Sequence, residues 1–327
     1  MEERQTGLRS VAVAVCTRGR PEMLRAALRS LAALDLPGID CRFIVVENND
    51  VQTVAPVVAE LADAVGPDRV ALRLEPRLGI ASARNNALDA ALAMGVDALA
   101  FIDDDEVAEP RWLAELVGEA NRRGLDLVGG PVGLQPAPPD ATAAERMVWR
   151  GLAARCRDNE ARGRRLAARG RDDRVTVTTG NWLADLGFIR RTGLRFDETL
   201  VLSGGEDTAF FRALRKAGGR TGWTPDAVAS ESWPRERLTL AYQFRRARDQ
   251  ALARHRAKYP KAGPGAAAAS VGIVLFKVVG GGVRALQSVF DGGASLVRAA
   301  RAFGAAAGII GALRGRRSRH YETVSGR

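Results

Sequence analysis

The sequence is poor in the side chains that build thiolate and imidazole metal sites: of 327 residues, three are cysteine and two histidine. Cys16, Cys41 and Cys156 are widely spaced and form no C-x-x-C pair. A disulfide framework or a thiolate zinc site is therefore not expected, and a reducing compartment fits. No G-x-G-x-x-G follows the first apolar run, which argues against a dinucleotide-binding fingerprint, and no P-loop motif is present. The glycines at 280–282 lie in an apolar tail and follow no strand-like run. No charge-free run reaches the ~18–20 residues of a membrane-spanning helix. The opening Met-Glu-Glu-Arg-Gln is polar and lacks the apolar core of a secretory signal.

Acidic residues are scarce in one region only. Residues 245–327 carry 16 basic and 3 acidic groups, a net of +13, whereas residues 1–244 carry 33 and 35, a net of −2; together they make the chain's +11. Arginine supplies 45 of the 49 basic groups, a bias that explains the choice of Arg over Lys but not the loss of acids. A basic tail suits an anionic membrane surface or a nucleic-acid backbone. Nothing in it interleaves aromatics for base stacking, so a nucleic-acid partner is not expected.

With 46% hydrophobic and 27% charged residues, the chain belongs to the globular class. Apolar runs 10–17, 41–48, 70–75, 98–103 and 126–132 read as strands, and helical spacing after Pro21, over 82–94 and from Trp112 separates them. That alternation predicts a mostly parallel, doubly wound α/β sheet. Residues 136–174 hold three prolines and ten arginines with little periodicity, and read as a partly helical insertion at the mouth of a site. Strand character resumes over 175–184. Helices are expected over 208–218 and 237–258. The apolar stretches 262–283 and 302–313 are each interrupted or flanked by charge. They read as two hydrophobic helices that lie on a membrane or pair with each other or with a protein surface. The domain organisation expected is a catalytic unit over 1–244 and a basic, apolar helical tail over 245–327.

The sharpest chemical feature is FIDDDE, 101–106, an apolar strand that ends in consecutive carboxylates. In open α/β sheets ligands bind at that end of the strands. Crowded carboxylates repel unless a cation neutralises them, and hard oxygen donors suit Mg²⁺ or Mn²⁺. A solvated acidic turn is the plain alternative. Thr17 and Arg18 follow the first strand, where polar groups and a helix N-terminus suit a nucleotide; an exposed loop is the alternative. Glu47 ends the second strand and suits a base or ribose, while Asn48 and Asn49 suit a turn. Arg84 sits near a helix start and suits a phosphate. In SGGEDTAFF, 203–211, Glu206 and Asp207 stand at a helix N-terminus, either as caps or with one as a proton acceptor.

In order and spacing, TRGRP, VVENN, GIASARNNAL, FIDDDE, TGNWL and SGGEDTAFFRAL resemble the family 2 glycosyltransferases, over about residues 9–240. Within that family the chain looks similar to bacterial exopolysaccharide enzymes of the succinoglycan type. The resemblance implies a GT-A fold, Rossmann-like with a mostly parallel sheet flanked by helices. It implies an inverting, metal-dependent transfer from a nucleotide-sugar, UDP-linked, to a glycan or lipid-linked acceptor at the cytoplasmic face of the inner membrane. Thr17, Arg18, Glu47, Arg84, Asp103, Asp104 and Glu206 would bind the nucleotide-sugar. Asp105 would hold Mg²⁺ or Mn²⁺ as the second acid of a D-x-D motif, and Asp207 would be the catalytic base. Many relatives place a metal-facing histidine after the Glu-Asp helix. Here Glu231 occupies that region instead, as the candidate third ligand. A sugar nucleotidyltransferase would need a glycine-rich basic loop after the first strand, where CTRGRPEML has only Gly19. A non-catalytic assembly subunit is disfavoured by the retention of Asp103, Asp105 and Asp207.

Overall fold

The computed structural model describes residues 7–200, 205–259 and 264–315. Small and β-branched residues build strand β1, Ser10–Thr17, which is buried on both faces. Alternate β1 residues feed two cores: Val11, Val13 and Val15 face one, and Ala12 and Ala14 face the other. This is the pattern of a strand covered by helices on both sides. The remaining strands are β2 (Asp40–Glu47), β3 (Val70–Leu74), β4 (Ala98–Asp103), β5 (Glu106–Ala108), β6 (Leu127–Gly129), β7 (Val132–Leu134), β8 (Asn181–Asp185), β9 (Thr221–Trp223) and β10 (Ala229–Glu231). The α-helices, in chain order, are α1 (Pro21–Ala32), α2 (Ala55–Val65), α3 (Ile80–Met94), α4 (Trp112–Arg123), α5 (Ala143–Ala167), α6 (Leu186–Thr192), α7 (Glu206–Lys216), α8 (Leu240–Lys258), α9 (Pro264–Gln287) and α10 (Ala294–Leu313).

Seven strands form one sheet in the order β3-β2-β1-β4-β8-β6-β9. Only β8 runs antiparallel to its neighbours, so the sheet is mostly parallel, as expected. The chain winds outward from β1 through β2 to β3, then crosses back to place β4 on the other side of β1. That reversal opens a crevice between the ends of β1 and β4. In the register Cys16 lies opposite Asp103, and Thr17 lies opposite Glu47. A second sheet, β5-β10-β7, begins at Glu106, just beyond the acidic end of β4.

Three expectations change in detail. The apolar run 126–132 is two strands in different sheets, β6 and β7, because Gly130 and Pro131 turn the chain between them. A Cβ at Gly130 would lie 2.0 Å from the Ala227 carbonyl oxygen, and proline has no N–H for a ladder. The strand read over 175–184 is confined to Asn181–Asp185. Its entry is fixed by Asn181, which receives the Trp112 indole N–H at 2.8 Å and donates to the carbonyls of Pro131 and Ala227 at 2.9 and 2.8 Å. Finally, 136–174 contains the 25-residue helix α5. Thr142 and Glu145 start it with a reciprocal capping box.

The tail forms two helices longer than the uninterrupted apolar stretches suggest: Ala268–Gln287 and Ala294–Leu313 are long and apolar enough to cross a membrane by length and composition. They differ in what they touch. Helix α10 lies on α8 so closely that a Cβ at Gly304 would sit 2.2 Å from the Phe244 carbonyl oxygen, and one at Gly308 2.1 Å from that of Arg248. Its Val297 joins Val148 and Leu152 of α5 in a small core with Trp233. Helix α9 leaves a long apolar face bare, with Leu275, Phe276, Val279, Val283 and Leu286 exposed. The same tail thus contains one helix seated on α8 and α5 and one that packs on α10 and α8 while leaving an apolar face bare.

The close approach of α10 makes a prediction. Gly304→Ala should lower the free energy of unfolding by about 1–3 kcal/mol, because the clash is with backbone. Gly282→Ala on α9, where a Cβ meets nothing within 4 Å, should not lower it, since alanine favours helix over glycine. Urea midpoints of the two variants check this; equal destabilisation would contradict the packing.

Candidate functional site

The carboxylates of FIDDDE emerge in the crevice and are held apart by three arginines from three parts of the chain. The Thr17 hydroxyl donates to Asp104 Oδ2 at 2.7 Å. Arg20 donates to the other oxygen of Asp104 at 3.0 Å and lies 3.5 Å from Asp105 Oδ2. Arg237, from the 3-10 turn before α8, donates to that same Asp105 oxygen at 3.0 Å and lies 3.7 Å from Glu231. The main chain reinforces the contact, with Ser232 N–H donating to the Asp105 carbonyl at 2.6 Å. Arg84, buried near the start of α3, bridges outward from β4: it donates to Asp103 Oδ1 at 3.2 Å and to Glu206 of α7. The ring of Phe196 lies beneath its guanidinium, 5.8 Å away, and stacks in turn on Phe210.

Burial and mutual repulsion tune these acids. Desolvation, opposed by Arg20 and Thr17 and helped by Asp105 and Asp103, pushes Asp104 up to about 6. Glu106 is pushed far above the usual carboxylate range by burial and by the charges of Asp103, Asp105 and Glu231. It stands directly opposite Glu231 across the β5–β10 pair, and its Oε2 accepts the Asp103 N–H at 3.1 Å. Glu231 is raised as well, by burial first and then by Asp105. Gly180 passes so close that a Cβ there would meet Glu106 Oε1 at 2.4 Å; this explains the glycine of TGNWL. The neighbouring thiol of Cys16 is pushed up to about 12 by burial, which keeps it a neutral wall.

Most of the residues expected to act together do meet here. Thr17, Arg84, Asp103, Asp104, Asp105, Glu206 and Glu231 are linked by the contacts above. Asp207 lies in the field of Arg84; half-buried in the first turn of α7, it accepts the Thr208 N–H at 2.6 Å. Glu206 is turned inward, and its Oε2 is buried without a hydrogen-bond partner among the described residues. Ser203 and Gly204 of the SGGEDTAFF segment lie outside the described residues.

Two of the expected residues stand apart from this network. Glu47 is fully buried, and its carboxylate accepts the Thr53 and Val54 N–H groups at 2.7 and 3.1 Å and the Thr53 hydroxyl. It holds the turn into α2, so a base or ribose reaching it must share those oxygens. Arg18 makes no ion pair among the described residues; its loop neighbour Arg20 is the one that reaches the acids. Arg84 faces carboxylates on both sides, and a phosphate would compete with them. Sequence reasoning missed Arg237 altogether: it comes from a segment 132 positions beyond Asp105, with no local signal. Glu106 was visible as the last letter of FIDDDE, but its inward direction follows only from the second sheet.

Among the described residues no three Asp, Glu, His or Cys side chains surround a common point as metal ligands. The donor chemistry nonetheless fits a divalent ion. The acids are hard oxygen donors gathered at one strand end, and magnesium-type ions often bind one or two carboxylates plus substrate phosphates and water. Asp105 would be the protein ligand, sharing its carboxylate with Arg20 and Arg237.

Comparison with known proteins agrees with this architecture. Residues 9–251 match the family model described as "Glycosyltransferase like family 2". The succinoglycan biosynthesis protein ExoM of Rhizobium meliloti (strain 1021) is 33% identical over 234 residues, 72% of this chain and 70% of that protein. Among solved structures, the mannosyltransferase PcManGT of Pyrobaculum calidifontis, in complex with GDP-Man and Mn²⁺, superposes with a TM-score of 0.55 at 17% identity, over 95% of this chain and 89% of that one. S. aureus TarS 1–349, in complex with UDP-GlcNAc, gives 0.51 at 13% identity, over 97% and 95%. The chain spans 43% of a longer TarS structure. These structural likenesses establish the GT-A-type fold, and the family model together with the ExoM relationship establishes that the chain belongs to glycosyltransferase family 2.

Proposed function

We propose that this chain transfers a sugar from a UDP-linked donor to a hydroxyl of a glycan or lipid-linked acceptor, with inversion at the anomeric carbon, in cell-surface polysaccharide synthesis. One observation carries the reading: Asp103–Asp105 at the end of β4 and Glu206–Asp207 at the start of α7 are bridged by Arg84 across one crevice. The first group suits a metal diphosphate and the second suits the reacting sugar. The bound ligands named for PcManGT and TarS and the pathway named for ExoM support the donor and product classes.

In this reading Thr17 and Asp104 line the nucleoside side of the crevice, with Arg18 at its rim and Glu47 behind the Thr53 turn. When bound, Mg²⁺ or Mn²⁺ supplies charge neutralisation to the departing diphosphate. Arg20 and Arg237 hold Asp105 in place for it. The unpartnered Oε2 of Glu206 accepts a donor hydroxyl, and Arg84 fixes Glu206 for that task. Asp207 takes the proton from the acceptor hydroxyl as its oxygen attacks the anomeric carbon opposite the leaving group. A single displacement converts an α-linked donor into a β-glycoside. Preorganised charge at the leaving group is the larger contribution expected of the site.

Two predictions test this chemistry. Transfer should vanish in EDTA and return with Mn²⁺, and Asp105→Asn should lose transfer even with excess metal; full turnover in EDTA refutes the metal role. Asp207→Asn keeps the shape of the helix start and removes the proton acceptor. Turnover should fall by roughly 10²–10⁴-fold with donor affinity nearly unchanged. A collapse of donor affinity at constant turnover per bound donor would make Asp207 structural.

We further propose that α9 rests on the anionic cytoplasmic face of the inner membrane. Exposed apolar patches of this extent mark interaction sites. The basic balance of the tail adds about 1 kcal/mol per arginine or lysine near such a surface. Because α10 is built into the body, deletion of the tail would also strip the protein's own packing. The sharper variant is Phe276→Asp with Leu286→Asp. It should abolish co-sedimentation with anionic vesicles at low salt while leaving UDP binding intact; unchanged sedimentation sinks the membrane reading.

A further inference from the structure

A second charged assembly, of opposite sign to the catalytic acids, sits where α10 crosses α8 and α5. Arg155 comes from α5, Arg246 and Arg254 from α8, and Arg301 from α10. The Arg301 guanidinium donates to the side-chain oxygens of Gln243 and Gln250, at 3.0 and 3.4 Å; both partners are neutral. Arg246 covers the Trp233 ring, 5.0 Å from its centre. Arg155 Nε is buried with no hydrogen-bond partner among the described residues. Among the described residues none of Arg155, Arg246 and Arg301 has an ion pair. On the same helices Arg298 pairs with Asp158, Arg248 with Asp249, and Arg164 with Glu160. Carboxylates within ion-pair distance are therefore supplied elsewhere on these helices and, among the described residues, not at this junction, where Glu231 acts on Arg246 only from farther off.

The physical cost is visible at Arg301. Burial, followed by repulsion from Arg155, Arg246 and Arg254, drives its pKa downward. A guanidinium remains charged in proteins, so the strain of crowded, desolvated cations persists until an anion relieves it. Planar, bidentate donors are the usual means of recognising phosphate. The surroundings narrow the anion further. On one side the cluster adjoins the catalytic acids: Arg246 draws on Glu231, and Trp233 hydrogen-bonds to that same carboxylate. On the other, Phe303, two residues beyond Arg301, packs against Gly281 of α9, the helix with the bare apolar face.

We propose that Arg155, Arg246 and Arg301 bind the phosphate or diphosphate group of an amphiphilic acceptor, with its apolar chain along α9 and its sugar end entering beside Glu231. The proposal rests on the transferase reading above and assigns its acceptor subsite. An acceptor held this way carries a negative group, a lipid tail and a free sugar hydroxyl in one molecule. It explains why one tail helix is built into the catalytic unit while its partner stays bare.

The test measures binding of farnesyl diphosphate to the full chain in EDTA, which silences metal-dependent donor binding, alongside farnesol and inorganic diphosphate. Farnesyl diphosphate should bind most tightly. Arg301→Gln, Arg155→Gln and Arg246→Gln should each weaken it by roughly tenfold or more, and Arg298→Gln, which lies on α10 but outside the cluster, by less than about twofold. UDP with Mn²⁺ should bind the wild type and the three cluster variants alike, which shows that they are folded. Unchanged affinity in the cluster variants that keep UDP binding overturns the proposal. Farnesol binding as tightly as its diphosphate would mean plain apolar docking, and inorganic diphosphate binding as tightly would mean a free-anion site; either also overturns it. Loss of UDP–Mn²⁺ binding in the wild type would refute the transferase reading instead.

Discussion

Carboxylates crowded at the end of β4 repel one another, and the rest of the site is arranged around holding that repulsion in place. Asp104 is locked by Thr17 and Arg20, Asp105 by Arg20 and Arg237, and Asp103 by Arg84. Glu106 sits behind them, buried beside Glu231. Buried charge of one sign is costly, and a fold carries it where the imbalance serves a ligand. Each arginine comes from a different segment, so the cluster also ties the first loop, α3 and the turn before α8 to one strand end.

The sheet order makes this convergence possible. Reversal of winding between β1 and β4 leaves the crevice at the centre of the sheet, and antiparallel β8 closes its far side. Asn181 and Gly180, adjacent in sequence, then do separate jobs: the amide joins Trp112, Pro131 and Ala227, and the glycine leaves room for Glu106. The aromatic group of Phe101, Trp182, Phe196 and Phe210 supports Arg84 from below. The motif positions therefore partly line the crevice and partly serve as scaffold.

Strands β1 to β4 were legible because doubly buried strands read as apolar runs, and the acids because they follow one of those runs directly. The second sheet was not legible. Strands β5, β7 and β10 are three residues each, too short to show a period. The internal partners of Glu47 were not legible, since sequence places it at a strand end but cannot show that the Thr53 turn folds back onto it. Arg237 and the arginine cluster at the α5–α8–α10 junction depend on long-range packing alone. In the tail, charge and apolarity suggested surface helices, while the glycines at 304 and 308 that seat α10 on α8 become meaningful only once the neighbouring helix is known.

We propose that the crowded acids receive a metal-bound nucleoside diphosphate. Thermal unfolding of the intact protein with UDP, with Mn²⁺ and with both tests it most directly. Neither alone should stabilise the fold strongly, whereas together, at about 100 times the dissociation constant, they should add about 2.7 kcal/mol and raise the melting temperature accordingly. A melting temperature indifferent to the pair, or raised equally by Mn²⁺ alone, would rule out that role for the acids.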